Sequence, residues 1–139
     1  MAVTQLSVFL ENAAGRLAEV ARVLGDAGVN IRGFSTAETK EYGILRLIAD
    51  DEAKAAATLR ASEFTVHEGP VILARVPDQP GGLAQALEGF ARNQLNVEYA
   101  YLAVPAAVIA FGVEDVAAGE RILAQEGIPL VSAEELTRL

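Results

Sequence analysis

The sequence predicts an α+β fold of two tandem ferredoxin-like βαββαβ units, each an antiparallel sheet with both helices on one face. The first observation behind this is that Asn12-Ala13-Ala14-Gly15-Arg16-Leu17 returns 66 residues later as Asp78-Gln79-Pro80-Gly81-Gly82-Leu83. The second is that Gly28-Val29-Asn30-Ile31 returns as Gln94-Leu95-Asn96-Val97 at the same offset. The third is the order of apolar periodicities, which runs strand, helix, strand, strand, helix, strand in both halves. A repeat of this length is a complete supersecondary unit, and that element order is the split form of βαβ.

In the first copy, Thr4-Gln5-Leu6-Ser7-Val8-Phe9-Leu10 alternates polar and apolar residues over most of its length, as a half-buried strand does. A loop from Glu11 to Gly15 follows. Leu17, Val20, Ala21 and Leu24 recur at i, i+3, i+4 and i+7, one apolar helix face, and Gly28 is placed to cap its C-terminus. Val29 to Thr36 reads as a second strand, Glu38 to Glu41 as a polar turn, and Tyr42 to Ala49 as a third strand. Asp50-Asp51-Glu52 sets negative charge at the start of an alanine-rich helix from about Asp51 to Ala61, where the dipole favours it. Phe64-Thr65-Val66-His67 closes the copy as a short strand.

The second copy repeats the order. Val71 to Val76 is a strand, and Leu83, Ala86, Leu87, Phe90 and Ala91 form a helix face. Val97 to Val104 and Ala106 to Val113 are strands joined through Pro105. This hairpin is two residues shorter, so beyond it the offset becomes 64, matching Leu59 to Leu123 and Phe64 to Ile128. A helix is expected over about Val116 to Glu126 and a last strand over Ile128 to Val131. Ser132 and Glu135 are spaced to box a short terminal helix.

The copies divide the chain into residues 1–68 and 69–139, joined only by Glu68-Gly69-Pro70, too short for a free linker. A unit of this size buries only about 60% of its surface alone, so a shared interface is expected. In copy two, Val71-Ile72-Leu73-Ala74 and Val108-Ile109-Ala110-Phe111 are apolar on both faces, the mark of strands covered on both sides. With helices on one side only, a second chain is the simplest cover for the other, which predicts a homodimer.

Composition narrows the function classes. The 139-residue chain is 52% hydrophobic and 22% charged, a soluble globular balance. A net charge of −8 with 11 scattered basic residues speaks against nucleic acid and anionic membranes. No apolar run approaches the ~18 residues of a membrane helix. The first six residues lack the basic and apolar segments of a signal peptide, so a cytoplasmic location is expected. There is no cysteine and a single histidine, His67, so neither thiol chemistry nor a transition-metal site is expected. No cofactor is called for and no nucleophile–base pair is found, so the chain reads as non-catalytic.

Each copy resembles an ACT domain, a small ligand-sensing module attached to many enzymes of amino-acid metabolism. The resemblance rests on the Asn12-x-x-Gly15-x-Leu17 and Asp78-x-Pro80-Gly81-x-Leu83 turns, each followed by a helix and then by Val29-Asn30-Ile31 or Leu95-Asn96-Val97. It implies that a free amino acid binds where two modules pair side by side, between the turn of one and the start of the second strand of the other. Asn12, Ala13, Ala14 and Gly15 would then face Asn96 and Val97, and the mirror site would use Asp78, Gln79, Gly81, Asn30 and Ile31. The function implied is a sensor regulating amino-acid metabolism or, alternatively, a regulatory subunit of a separate metabolic enzyme with little ligand binding alone.

These residue types suit an amino-acid zwitterion. A helix start offers unpaired N–H groups to a carboxylate, glycine lets a ligand approach the backbone, and a carboxamide both donates and accepts. The two turns are unequal: Asp78 brings a fixed negative charge, and Pro80 removes an N–H that Ala14 keeps. The Asn12 turn is therefore the preferred site. Asn12 and Asp78 are also good helix caps, with or without a ligand contact. Phe34, Ser35, Tyr99 and Tyr101 either shape a side-chain pocket or belong to core and interface. Arg16 either steers an anion or is solvated.

Overall fold

In the computed structural model, which describes residues 2–103 and 107–138, the alternation at the start of the chain becomes β1 (Val3–Glu11), with Leu6, Val8 and Leu10 buried. The chain divides into one unit of Thr4–Gly69 and another of Pro70–Leu139 with Met1–Val3.

The Thr4–Gly69 unit holds β1, α1 (Arg16–Asp26), β2 (Ile31–Glu38), β3 (Tyr42–Ala49), α2 (Glu52–Ala61) and the start of β4 (Thr65–Arg75). β3 lies between β1 and β2, antiparallel to both, pairing Leu47 with Leu6 and Phe34, and Leu45 with Val8 and Thr36. The inward residues of β1 and β3 pack with Val20 and Leu24 of α1, Ala55, Ala56 and Leu59 of α2, and Phe64. Both helices thus cover the same sheet face, as the periodicity requires.

The other unit holds the rest of β4, α3 (Gly82–Arg92), β5 (Val97–Ala103), β6 (Val108–Val113), α4 (Val116–Gln125) and α5 (Ala133–Arg138). β6 is central, with Phe111 opposite both Ile72 and Ala100. Its core gathers Ile72, Ala74, Ile109 and Phe111 from the sheet with Phe90, Ile122 and Leu123 from the helices. The rings of Phe90 and Phe111 meet edge to face at 5.2 Å.

The repeat extends to backbone detail. β2 shifts register between Ile31 and Gly33 and β5 between Val97 and Tyr99, the same step of each copy. Asp51 accepts from the Lys54 N–H and Asp115 from the Ala118 N–H, each at 3.1 Å, capping α2 and α4. Four helices end alike: Val29, Phe64, Leu95 and Ile128 donate their N–H groups to Leu24, Leu59, Phe90 and Leu123. The residue before each donor is left-handed: Gly28, Glu63, Gln94 and Gly127, with φ of 77°, 70°, 55° and 72°. This is the Schellman ending, with its apolar contact supplied by the donor residue, buried at Val29, Phe64 and Ile128 and partly buried at Leu95.

Four expectations change. Glu68-Gly69-Pro70 is not a join between strands but lies within the unbroken β4, since a proline is compatible with a strand wherever its missing N–H is not called on. Ile128 to Val131 forms only a bridge between Leu130 and Ala74, flanked by N–H groups of Arg75 and Val131 donating to Pro129 and Leu73; Pro129 has no N–H with which to extend a ladder. Val71, Leu73, Val108 and Ala110, on the face of copy two assigned to a second chain, are already buried in one chain. That face therefore gives no argument for a homodimer. At the terminal helix, Ser132 accepts from the Glu135 N–H at 3.1 Å as expected, but its hydroxyl meets the Glu135 carboxylate instead of the carboxylate reaching back to the backbone. The expected strand ends at Val104 and Ala106, and the join at Pro105, lie outside the described residues.

Candidate functional site

The site grows from the end of β1. Leu10 is buried, Glu11 and Asn12 are exposed, and the Asn12 N–H donates to the Glu41 carbonyl at 2.9 Å. The chain then turns: the Ala13 N–H donates back to Glu11, and the Arg16 N–H to Ala13. Gly15 takes φ 86° and ψ −11°, a left-handed step that starts α1 one residue later.

Gly15 is therefore the N-cap, and no side chain caps the helix. This corrects the reading of Asn12 as a cap. Its amide nitrogen instead donates to the Thr39 and Lys40 carbonyls, both at 3.3 Å, pinning the β2–β3 hairpin to the turn. With two carbonyls as partners, the nitrogen of the carboxamide must be the atom that faces them. The carbonyl oxygen is left to accept from elsewhere. In copy two Gly81 is likewise the cap, at φ 88° and ψ −8°, again without a side-chain bond, so Asp78 is not a cap either.

A cavity of about 70 Å³ opens at this turn. Leu10, Glu11, Asn12, Ala13, Arg16 and Leu17 form one part of its wall, and Thr36, Glu38, Gly43, Ile44 and Leu45 of the hairpin form the rest. Asn12 and Ala13 are thus where the sequence placed them, while Ala14 and Gly15 shape the turn without lining the cavity. The uncapped first turn of α1 leaves backbone donors at its start.

The remaining expected residues lie elsewhere. Asn30 exchanges bonds with Asp50, its N–H donating to the carboxylate and its carbonyl accepting from the Asp50 N–H, each at 3.0 Å. Ile31 packs against the core of its own unit. Asp78 lines a separate cavity with Arg75, Val76, Pro77, Ala107, Gly127 and Pro129, while Gln79 and Gly81 do not line it. Asn96 and Val97 border an open hollow with Leu87, Phe90, Ala91, Gln94 and Leu95. None of Phe34, Ser35, Tyr99 and Tyr101 lines the Asn12 cavity. Tyr101 is buried, Phe34 is 57% exposed, and the Tyr99 and Tyr101 rings stack at 6.3 Å. His67 is exposed on β4.

The two turns differ most at the first helical residue. In copy one it is Arg16, whose guanidinium lies 5.0 Å over the Phe64 ring and pairs with Glu19 at 2.8 Å. Its Nε is buried with no hydrogen-bond partner, while the side chain as a whole stays 33% exposed, so Arg16 is only partly solvated. In copy two it is Gly82, where a Cβ would fall 1.8 Å from the Pro77 carbonyl oxygen. That helix start is seated directly on Pro77, in the loop just past β4. Glu11, beside Asn12 in the chain, and Thr36 and Glu38, brought to the turn by the hairpin, are lining residues that the sequence motif does not single out.

The comparisons with known proteins agree with this architecture. The family model described as an ACT domain pair matches residues 1–139. The chain belongs to that family. As an ACT domain pair it is similar to protein BT0572 from Bacteroides thetaiotaomicron, at 32% identity and a TM-score of 0.91, covering 100% of this chain and 98% of that one. It shares its fold with the regulatory subunit of aspartate kinase from Thermus thermophilus in a ligand-free form, at 16% identity and a TM-score of 0.66, covering 88% and 91% of the two chains. The corresponding subunit from Thermus flavus aligns at 15% identity and a TM-score of 0.62, covering 89% and 92%. No curated protein sequence matches this ACT domain pair. Among the described residues no helix is long and apolar enough to cross a membrane.

Proposed function

We propose that this ACT domain pair is a non-catalytic, cytoplasmic sensor of a free amino acid that regulates amino-acid metabolism, with its ligand at the Asn12 turn. The observation that carries the reading is the cavity lined by Asn12, Ala13 and Arg16 beside an uncapped helix start. Glu11 and Glu38, which line the same cavity, complement an ammonium group. At the Asp78 turn the helix start is closed onto Pro77, and Pro80 lacks an N–H. One ligand per chain follows.

A thermal-unfolding screen against the twenty amino acids at millimolar concentration tests it. A ligand at 100 times its dissociation constant adds about 2.7 kcal/mol, a shift of about 5–10 °C for a chain of this size. A shift from one or a few amino acids supports the sensor. No shift from any of them favours the second reading, a regulatory subunit of a separate metabolic enzyme. That reading draws on the shared fold with aspartate kinase regulatory subunits, and its test is co-purification of this chain with an enzyme.

A further inference from the structure

We propose that the Arg16 guanidinium is the anion seat of the Asn12 cavity: it receives the carboxylate of the bound amino acid while Glu11 and Glu38 receive the ammonium. The proposal rests on the amino-acid reading and assigns its polarity. A guanidinium is a planar fork of five donors, and here it is held in place before any ligand arrives. The buried Phe64 ring lies under it and Glu19 engages Nη1. A cation fixed over an aromatic face loses little freedom on binding an anion.

The fork is also incompletely used. Nε is covered by protein and has no acceptor, whereas buried donors are nearly always satisfied. Because Nε is covered, the carboxylate meets the terminal nitrogens, with Nη2 beside the pair already made by Nη1. Glu11 and Glu38 line the same cavity, so one basic and two acidic residues surround a space of about 70 Å³. That charge set fits a zwitterion and disfavours a ligand with two carboxylates. Copy two has Gly82 where copy one has Arg16, so the seat exists once per chain.

The test compares the wild-type chain with R16M, which keeps a flexible side chain against Phe64, and R16K, which keeps the charge but not the fork. Each is titrated with the amino acid that shifts the wild type in the thermal screen, and with its carboxamide. The wild type is expected to prefer the acid. R16M is expected to bind the acid about tenfold or more weakly and to lose the preference, with R16K between them. Wild-type affinity and preference in a folded R16M would overturn the seat while leaving the amino-acid reading intact. If no amino acid binds the wild type, acetate is the probe, against chloride at equal ionic strength, read by the Arg16 side-chain nitrogen resonances. An acetate-specific shift upholds the anion seat with the amino-acid reading gone; no shift overturns both.

Discussion

Gly15 and Gly81 hold the same left-handed conformation at the same step of the two turns, φ 86°, ψ −11° and φ 88°, ψ −8°. A Cβ at either position would meet nothing within 4 Å, so the demand for glycine comes from the backbone alone. G15A and G81A should each lose about 1–2 kcal/mol, and G15N less, because asparagine tolerates this region. Urea unfolding measures the difference; equal stability of G15A and wild type would contradict the assigned turn.

Gly82 is demanding for the opposite reason. Its φ is ordinary, but its Cβ would strike the Pro77 carbonyl oxygen at 1.8 Å. G82A should therefore cost about 1–3 kcal/mol through forced movement of the turn, although alanine is the better helix former. Calorimetric unfolding of G82A with a midpoint at or above that of the wild type would show that this helix start is not seated on Pro77.

Two of the four Schellman endings carry the wrong residue for their conformation. Glu63 and Gln94 sit at φ 70° and 55°, where Gly28 and Gly127 serve the other two helices. E63G and Q94G should each stabilise the chain by about 0.5–1 kcal/mol, raising the midpoint by about 2–4 °C. G28A should move it the other way. A falling midpoint in both glycine variants would refute the shared ending.

Asn12 ties the turn to the hairpin through its amide nitrogen. N12D places a carboxylate against two carbonyls and should lose about 1–2 kcal/mol at neutral pH. Repulsion raises the folded-state pKa of the new carboxyl above its unfolded value. The deficit relative to wild type is thus fully present above the folded pKa and shrinks as pH falls through it, when the protonated group can donate once. Paired unfolding curves at neutral and acid pH check the sign. The ligand reading adds that N12A weakens amino-acid binding beyond its loss of stability.

What was legible in the sequence follows from local interactions. The offsets of 66 and 64 reappear in helix starts, register shifts and aspartate caps, because each depends on residues close in the chain. The errors arose where a residue has two local readings. Asn12 and Asp78 look like caps, yet the glycine immediately before each helix, Gly15 and Gly81, was the decisive sign and was visible twice. Gly69-Pro70 looks like a break, but a strand can run through it. The setting of Arg16 was not legible, because its ring partner Phe64 is distant in sequence and only the packing of α1 on the sheet brings them together.

The most direct measurement is amide chemical-shift mapping of the isotope-labelled chain with the amino acid found in the thermal screen. The account predicts shifts concentrated from Asn12 to Leu17, with the Arg16 side chain among them and the Asp78 to Leu83 amides little changed. Shifts centred on Asp78 to Leu83, or confined to neither turn, would contradict it.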